Sequence, residues 1–151
     1  MGFDIYGLKA KNKRGEYFRN NVWWWKPLAK YVIKECNIPE KEQNDWLNNN
    51  GHKVSEATAM NIAKKLKELV KNGHTKDYEI KRKRFLEDLS MVKCETCNGT
   101  GERHDDIVDG ECNGCNGKGK VKDFKTHYPF SVENVKEFAD FCESSGGFEI
   151  Y

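Results

Sequence analysis

The chain has 151 residues, 37% of them hydrophobic and 33% charged, and a formal net charge of +2. This length predicts one small folded domain with room for an appended module. A net charge so near zero does not by itself indicate a nucleic-acid partner, and no segment approaches the ~20 apolar residues of a membrane-spanning helix. The first ten residues lack the apolar run of a signal peptide, so we expect a cytoplasmic protein whose six cysteines are reduced.

Four segments of the N-terminal half carry patterns of regular structure. Alternating apolar and polar residues predict a short strand over 1–8. Apolar spacing predicts a helix over 28–36, with Pro27 in its first turn, where the missing N–H is tolerated. A second short helix is expected over 39–47. Over 56–70 apolar residues recur every three or four positions, and the preceding serine fits the N-cap of a third helix.

The C-terminal half continues this alternation. Thr75 fits the cap of a fourth helix with an apolar side that reaches Val92, and residues 121–124 are expected to be extended. Ser131 fits the cap of a last helix that ends at two glycines, and the final residues, 148–151, can pair with the first strand. We therefore expect an α+β fold, a small mainly helical body with a short pair of terminal strands.

Charge is distributed unevenly along the chain. Basic residues outnumber acidic ones over 1–34 and 64–93, whereas 94–119 and 131–151 are acidic. A molecule with a basic part and an acidic part suits a protein partner at least as well as a polyanion.

Four cysteines form two matching halves that both read Cys-x-x-Cys-x-Gly-x-Gly. Two thiolates two residues apart chelate a metal ion from one tight turn, and two such turns complete the four-sulfur coordination of structural zinc. The glycines permit positive φ and bring N–H groups close to the sulfurs. We predict one structural zinc ion bound by Cys94, Cys97, Cys112 and Cys115. The alternatives are a redox dithiol, an iron–sulfur cluster, or His104 replacing one ligand.

These halves resemble the zinc-binding repeats of the DnaJ (Hsp40) cochaperone family, where they build a cysteine-rich domain of β-hairpins that helps to bind unfolded clients. Two repeats are present here against four in the cochaperones, and the His-Pro-Asp triplet of a J-domain does not occur. Regulators of the anti-TRAP type use a two-repeat version and act by binding another protein. The resemblance implies a zinc-binding β-hairpin module over 94–119, inserted between a helical body of 1–93 and a completing strand and helix over 120–151.

A fainter resemblance covers more of the chain. Residues 1–8, 17–28 and 135–150 look like small uncharacterised proteins of bacteriophages and related prokaryotic elements. This similarity implies a source, and therefore the cytoplasm of a host cell as the location, but it implies no activity.

Two further groups of residues have both a structural and a functional interpretation. The consecutive Trp23, Trp24 and Trp25 can pack in the core, which we favour, or present a ring that stacks on a nucleobase or anchors a protein contact. The basic run contains Lys81, Arg82, Lys83 and Arg84. Consecutive residues spread around a helix, so a solvated face is favoured over a phosphate-binding surface.

Three functional hypotheses follow. The leading one is a non-enzymatic zinc-binding protein that acts through protein–protein binding, as a phage-encoded regulator or inhibitor of a host protein. The second is a nucleic-acid-binding protein that uses its basic residues and tryptophan stacking. An enzyme ranks last, because no nucleophile–base pair, phosphate loop or dinucleotide fingerprint is present.

Overall fold

The computed structural model describes all residues, Met1–Tyr151, and divides into two compact units. The first unit comprises Met1–Lys83 and Tyr128–Tyr151, and the second comprises Arg84–His127. The fold is α+β, as predicted, with five helices and small antiparallel sheets.

The helices and strands are numbered in chain order. The helices are α1 (Val22–Glu35), α2 (Glu40–Trp46), α3 (Glu56–Lys71), α4 (His74–Glu87) and α5 (Val132–Ser145). The strands are β1 (Gly2–Gly7), β2 (Tyr17–Asn21), β3 (His52–Val54), β4 (Val92–Lys93), β5 (Glu102–His104), β6 (Asp109–Glu111), β7 (Lys120–Val121) and β8 (Phe148–Ile150).

The first unit contains a four-stranded antiparallel sheet with the order β2-β1-β8-β3. The predicted pairing of the terminal strands is confirmed, since Ile5 in β1 lies opposite Ile150 in β8. The sequence did not predict the two outer strands, β2 and β3, which are short and mostly polar. Alternation along β1 and β8 places Phe3, Ile5 and Phe148 on a buried face and leaves the other face of the sheet exposed.

Helix α1 begins six residues earlier than predicted. The side chain of Asn21 caps it by accepting a hydrogen bond from the N–H of Trp24 at 3.1 Å. Pro27 consequently lies inside the helix rather than at its start, although its ring nitrogen has no hydrogen to donate to the helix. The three consecutive tryptophans are therefore helical, and their rings point in different directions around the axis.

The caps of α3 and α5 are those that the sequence predicted. The hydroxyl of Ser55 accepts from the N–H of Thr58 at 3.2 Å, and that of Ser131 accepts from the N–H of Asn134 at 3.1 Å. Helix α5 ends at Gly146, which has a left-handed φ of 66°. The apolar faces of both helices are buried in the first unit.

Aromatic side chains form the centre of this core. Trp25 is fully buried and donates its indole N–H to the carbonyl of Trp46 at 2.8 Å. The two indole rings are nearly parallel, with centroids 6.2 Å apart, and Phe138 meets both of them edge-on. Large aromatic groups supply the buried area that a chain of low apolar content otherwise lacks.

Helix α4 differs from its prediction at both ends. It is preceded by Asn72, whose side chain accepts from the N–H of the first helical residue, while Thr75 lies buried within the first turn. The Thr75 hydroxyl is 2.9 Å from the hydroxyl of Tyr31, which explains its burial. The expected apolar side is wrong at its C-terminal end: Phe85, inside the helix, is 51% exposed, and Val92 lies beyond the helix in β4.

The second unit has no apolar core. Within residues 84–127 the buried side chains are the four cysteines of the repeats. Strand β4 pairs with β7, and β5 pairs with β6. The segment expected to be extended over 121–124 is extended only at its start, because a 3₁₀ turn follows at Phe124–His127.

Candidate metal centre

The two cysteine pairs meet at one point in the second unit. The four sulfur atoms all lie within 4.8 Å of one another. Sγ of Cys94 is 4.0 Å from that of Cys112, and Sγ of Cys97 is 3.7 Å from that of Cys115. A tetrahedron of sulfurs ~2.3 Å from a central zinc ion has edges of about 3.8 Å. The arrangement therefore fits a single metal ion, and the separations are far longer than the ~2.05 Å of a disulfide bond.

Each half builds its metal-binding turn in the same way. In the first half the N–H of Gly99 donates to the carbonyl of Cys94 at 3.0 Å. In the second half the N–H of Gly117 donates to the carbonyl of Cys112 at 3.1 Å. The residue before each of these glycines is an asparagine with φ of 55° or 52°. The turns are consequently the same backbone structure used twice, 18 residues apart.

The two halves are also related by a two-fold exchange of their contacts. The N–H of Cys94 donates to the carbonyl of Gly119 at 2.9 Å, and the N–H of Cys112 donates to the carbonyl of Gly101 at 2.8 Å. The strand pairs follow the same relation. A shift of 18 residues along the chain takes β4 to β6 and β5 to β7, so the pair β4–β7 corresponds to the pair β6–β5. We call these segments, 92–104 and 109–121, the two half-sites. Each half-site completes the hydrogen bonding of the other.

The last glycine of each repeat allows this close approach. A Cβ atom on Gly101 would lie 2.5 Å from the carbonyl oxygen of Gly117, and one on Gly119 would lie 2.5 Å from that of Gly99. Both positions also have positive φ, of 81° and 71°. Residues with side chains would therefore separate the two half-sites.

Backbone N–H groups point at the sulfur atoms. Gly101 donates to Sγ of Cys97 at 3.2 Å, and Gly119 donates to Sγ of Cys115 at 3.1 Å. Burial acts to raise the pKa of Cys97, but the Gly101 N–H and hydrogen bonds from the other three thiols lower it to about 6. Burial raises the pKa of Cys115 to about 11. Four thiols so close together do not all ionise unless a cation neutralises them, which is the condition that a bound metal ion supplies.

No protein-family model matches the chain, and neither a curated protein nor a solved structure matches it significantly. None of its helices is both long enough and apolar enough to cross a bilayer. The cysteine cluster is thus the strongest indication of what the chain binds.

His104 is not part of the cysteine cluster. This residue lies in β5, its side chain is exposed, and its Nδ1 is hydrogen-bonded to the carboxylate of Asp109. The four groups that converge on one point are all cysteines. Histidine is therefore not needed to complete the four-ligand set.

The loop between the half-sites is an ordered turn. One carboxylate oxygen of Asp105 accepts from the N–H groups of Ile107 and Val108, both at 2.9 Å, and Arg103 donates to the other oxygen at 2.7 Å. The N–H of Val108, the N–H of Ile107 and the Arg103 guanidinium hold the pKa of Asp105 below its usual range. The turn presents the side chain of Ile107 at 84% exposure. The sequence motifs did not identify this turn, and the signal for it is the apolar pair Ile107 and Val108 between aspartates.

The three tryptophans do not form one surface. Trp25 is fully buried, whereas Trp23 and Trp24 are half-buried. The ring of Trp23 lies 5.0 Å from that of Tyr128. Trp25 therefore cannot stack on a nucleobase, and burial is the correct interpretation for this residue.

The four consecutive basic residues of α4 also separate. Arg82 donates twice to the carbonyl oxygen of Tyr128, at 2.7 and 3.2 Å. Lys81, Lys83 and Arg84 are exposed to solvent. Arg82 consequently supports the packing of the first unit, and three basic side chains remain on the surface.

Proposed function

We propose that this chain is a non-enzymatic zinc-binding protein that acts by binding another protein. One zinc ion held by four thiolates shapes the two half-sites, and the turn between them provides the contact with the partner. The observation that carries the proposal is the buried cluster of four sulfurs within 4.8 Å of one another, from which this ordered turn projects.

Zinc fits the sulfur geometry better than a multinuclear cluster does. An iron–sulfur cluster distributes its cysteines over different iron ions, which spreads their sulfur atoms more widely than one ion does. The distances of 3.7 and 4.0 Å match a single tetrahedral ion. Elemental analysis of purified protein tests the metal, with one zinc per chain and no visible absorption expected. A coloured protein with one iron per chain would show that the four cysteines bind a single iron ion instead of zinc.

A structural rather than catalytic role follows from the ligand set. Catalytic zinc keeps one coordination position for water or substrate. Four thiolates occupy all four positions, and all four cysteines are buried. An ion bound here stabilises the fold of the half-sites and has no position for a substrate.

The turn has the properties of a protein-binding anchor. The backbone at Ile107 is held by a hydrogen bond to Asp105, so little backbone entropy is lost when the side chain enters a pocket. Exposed carboxylates surround it along the chain, among them those of Asp106 and Asp109. This combination suits an apolar pocket bordered by Lys or Arg on a partner protein. The resemblance to anti-TRAP-type repeats and to phage proteins supports a regulator or inhibitor of a host protein in the host cytoplasm.

A nucleic-acid-binding function is the second candidate, because Lys81, Lys83 and Arg84 are exposed. It requires phosphate contacts and predicts an affinity that falls steeply with salt. The half-buried rings of Trp23 and Trp24 would be the remaining stacking surface. An affinity for oligonucleotides that is indifferent to ionic strength would remove this candidate.

The deciding experiment compares two isoleucine variants in affinity purification from nuclease-treated bacterial lysate. Ile107→Asp places a charge in the turn, and Ile80→Asp is the matched control, an isoleucine 41% exposed outside the half-sites. We expect one stoichiometric protein retained by the wild type and by the control but lost with Ile107→Asp. Equal retention by all three, or retention that disappears with nuclease, would contradict the proposal.

A further inference from the structure

The exposed face of the four-stranded sheet carries an ordered array of side chains. The registers place Tyr17, Tyr6, Glu149 and Lys53 side by side across β2, β1, β8 and β3. A second row contains Arg19, Asp4, Tyr151 and Gly51 in that order. Arg19 and Asp4 are register partners in β2 and β1, whereas Tyr151 and Gly51 lie just beyond the ends of β8 and β3 and continue their hydrogen bonding. We call these eight residues the tyrosine face.

The tyrosine face is aromatic and remains partly exposed to solvent. Tyr6, Tyr17 and Tyr151 are 47%, 46% and 46% exposed, while the opposite side of the same strands is buried in the core. The ring of Tyr6 lies 5.3 Å from that of Tyr17 and 6.1 Å from that of Tyr151. A cluster of half-exposed tyrosines on a sheet is typical of protein–protein contacts, where this residue is enriched.

The charges of this face cancel. Asp4 and Glu149 are acidic, and Arg19 and Lys53 are basic. The Tyr17 hydroxyl donates to the carboxylate of Asp4, which also pairs with the guanidinium of Arg19 at 3.4 Å. A neutral face whose aromatic rings contact carboxylates is poorly suited to phosphates, but it can match a protein surface that carries both signs.

The array is complementary to itself. A two-fold axis along the strands, between β1 and β8, exchanges β1 with β8 and β2 with β3. In the first row it sets Tyr17 opposite Lys53 and Tyr6 opposite Glu149 of the second copy.

In the second row the same axis sets Asp4 opposite Tyr151 and Arg19 opposite Gly51, over which the ring of Tyr151 lies, since a Cβ atom on Gly51 would be 3.3 Å from it. Every tyrosine thus meets a charged group through a cation–π contact or a hydroxyl–carboxylate hydrogen bond. We propose that the tyrosine face binds a second copy of this chain and forms a two-fold symmetric dimer.

The size of the face sets the strength of this dimer. The four strands are spaced ~4.8 Å apart and have six, five, three and three residues, so they cover roughly 19 by 14 Å, or about 270 Å² on each copy. Both copies together then bury about 540 Å² of footprint, below the 1,200–2,000 Å² of a standard interface. We therefore expect a weak dimer that forms only at high local concentration.

Analytical ultracentrifugation of the full, metal-loaded chain tests the proposal from about 5 to 500 µM. The wild-type mass should rise from 17.5 kDa towards twice that value. Tyr6→Glu faces Glu149 of the second copy with a like charge and should remain monomeric. Tyr6→Lys loses the same ring but faces Glu149 with the opposite charge, in its own chain and in the second copy alike, and should dimerise within about threefold of wild type. The double variant Tyr6→Glu with Glu149→Lys should restore association.

Each variant is first compared with wild type by its thermal unfolding curve. If Tyr6→Glu does not fold, Tyr151→Glu and Tyr151→Lys are compared instead, because Tyr151 faces Asp4 of the second copy. A wild type that stays at 17.5 kDa at the highest concentration overturns the proposal. Dimers that persist equally in the Glu and Lys variants assign self-association to another surface. Because no second protein species is involved, these results are independent of the proposed partner of the turn.

Discussion

Removal of the metal ion should unfold the half-sites and leave the aromatic core of the first unit intact. Structural zinc contributes an apparent binding free energy of about 10–16 kcal/mol at neutral pH. Residues 94–119 bury no side chains other than cysteines, so no apolar core replaces this contribution. A hydrogen bond contributes only about 0.5–1.5 kcal/mol net, and the bonds between the half-sites are too few to compensate.

Hydrogen exchange measures this loss at individual amides. The relevant N–H groups are those that bond within or between the half-sites, namely those of Cys94, Gly99, Thr100, Gly101, Cys112, Gly117, Lys118 and Gly119. With a chelator present we expect their protection to fall at least ~1,000-fold, which corresponds to about 4 kcal/mol. Amides in the middle of α3 and α5 should keep their protection, because their buried faces lie in the other unit.

Two cysteine variants separate the metal effect from a general effect of losing a thiol. Cys97→Ser removes one ligand and should reproduce the exchange pattern of the chelated protein. Cys36→Ser changes a half-buried cysteine outside the cluster, whose thiol pKa burial raises to about 12, and should retain one metal ion per chain. Full protection of 94–119 in protein shown to be free of metal would refute the structural role.

Three further perturbations probe separate features. Gly101→Ala introduces a Cβ atom 2.5 Å from a carbonyl oxygen and should weaken zinc affinity at least ~10-fold. The control is Gly110→Ala, whose Cβ atom would have nothing within 4 Å and whose zinc affinity should fall less. Competition with a chromophoric chelator measures both affinities. Glu79→Gln should lower the free energy of unfolding by about 1 kcal/mol at neutral pH, because glutamine can still accept from the N–H of Val132 but lacks the negative charge that pairs with Lys76 and lies at the start of α5. Tyr31→Phe should cost about 1–3 kcal/mol in urea denaturation, since it leaves a buried threonine hydroxyl without its partner.

The pH dependence of the Glu79 variant supplies a sign test. In the folded state the pKa of Glu79 is lowered below 4.5, mainly by the Lys76 ammonium and to a smaller extent by the N–H of Val132. Its contribution is therefore present above that pH and is lost as the pH falls through the lowered pKa. The gap between wild type and Glu79→Gln should close in acid, and a constant gap would contradict the electrostatic origin.

The other two perturbations have equally direct contrary results. Equal zinc affinities for Gly101→Ala and Gly110→Ala would show that metal binding does not depend on the close contact between the half-sites at Gly101. A Tyr31→Phe protein as stable as wild type would mean that water satisfies the buried hydroxyl.

The features best predicted from the sequence are those that depend on neighbouring residues. The turns of the half-sites follow from cysteines and glycines only a few positions apart, and the caps at Ser55 and Ser131 follow from a hydroxyl and an N–H three residues later. The pairing of the terminal strands was also predicted, because β1 and β8 both alternate apolar and polar residues.

The errors occur where tertiary packing overrides local pattern. The sequence favours packing of Trp23, Trp24 and Trp25 in the core, but a helix rotates consecutive rings, so only Trp25 is fully buried. Pro27 appeared to mark the start of α1, whereas Asn21 supplies the cap and the helix tolerates the proline. Strands β2 and β3 have too little apolar content to be recognised without their partners.

The two-fold relation of the half-sites also bears on how the second unit binds metal. One half-site carries two of the four metal ligands, and its unpaired backbone groups are the ones that the other half-site satisfies. A single half-site therefore cannot complete the four-sulfur cluster, and the second copy of the motif within the same chain supplies the missing ligands and hydrogen bonds. Joining the copies through one ordered turn makes metal binding independent of protein concentration and leaves that turn free to diverge.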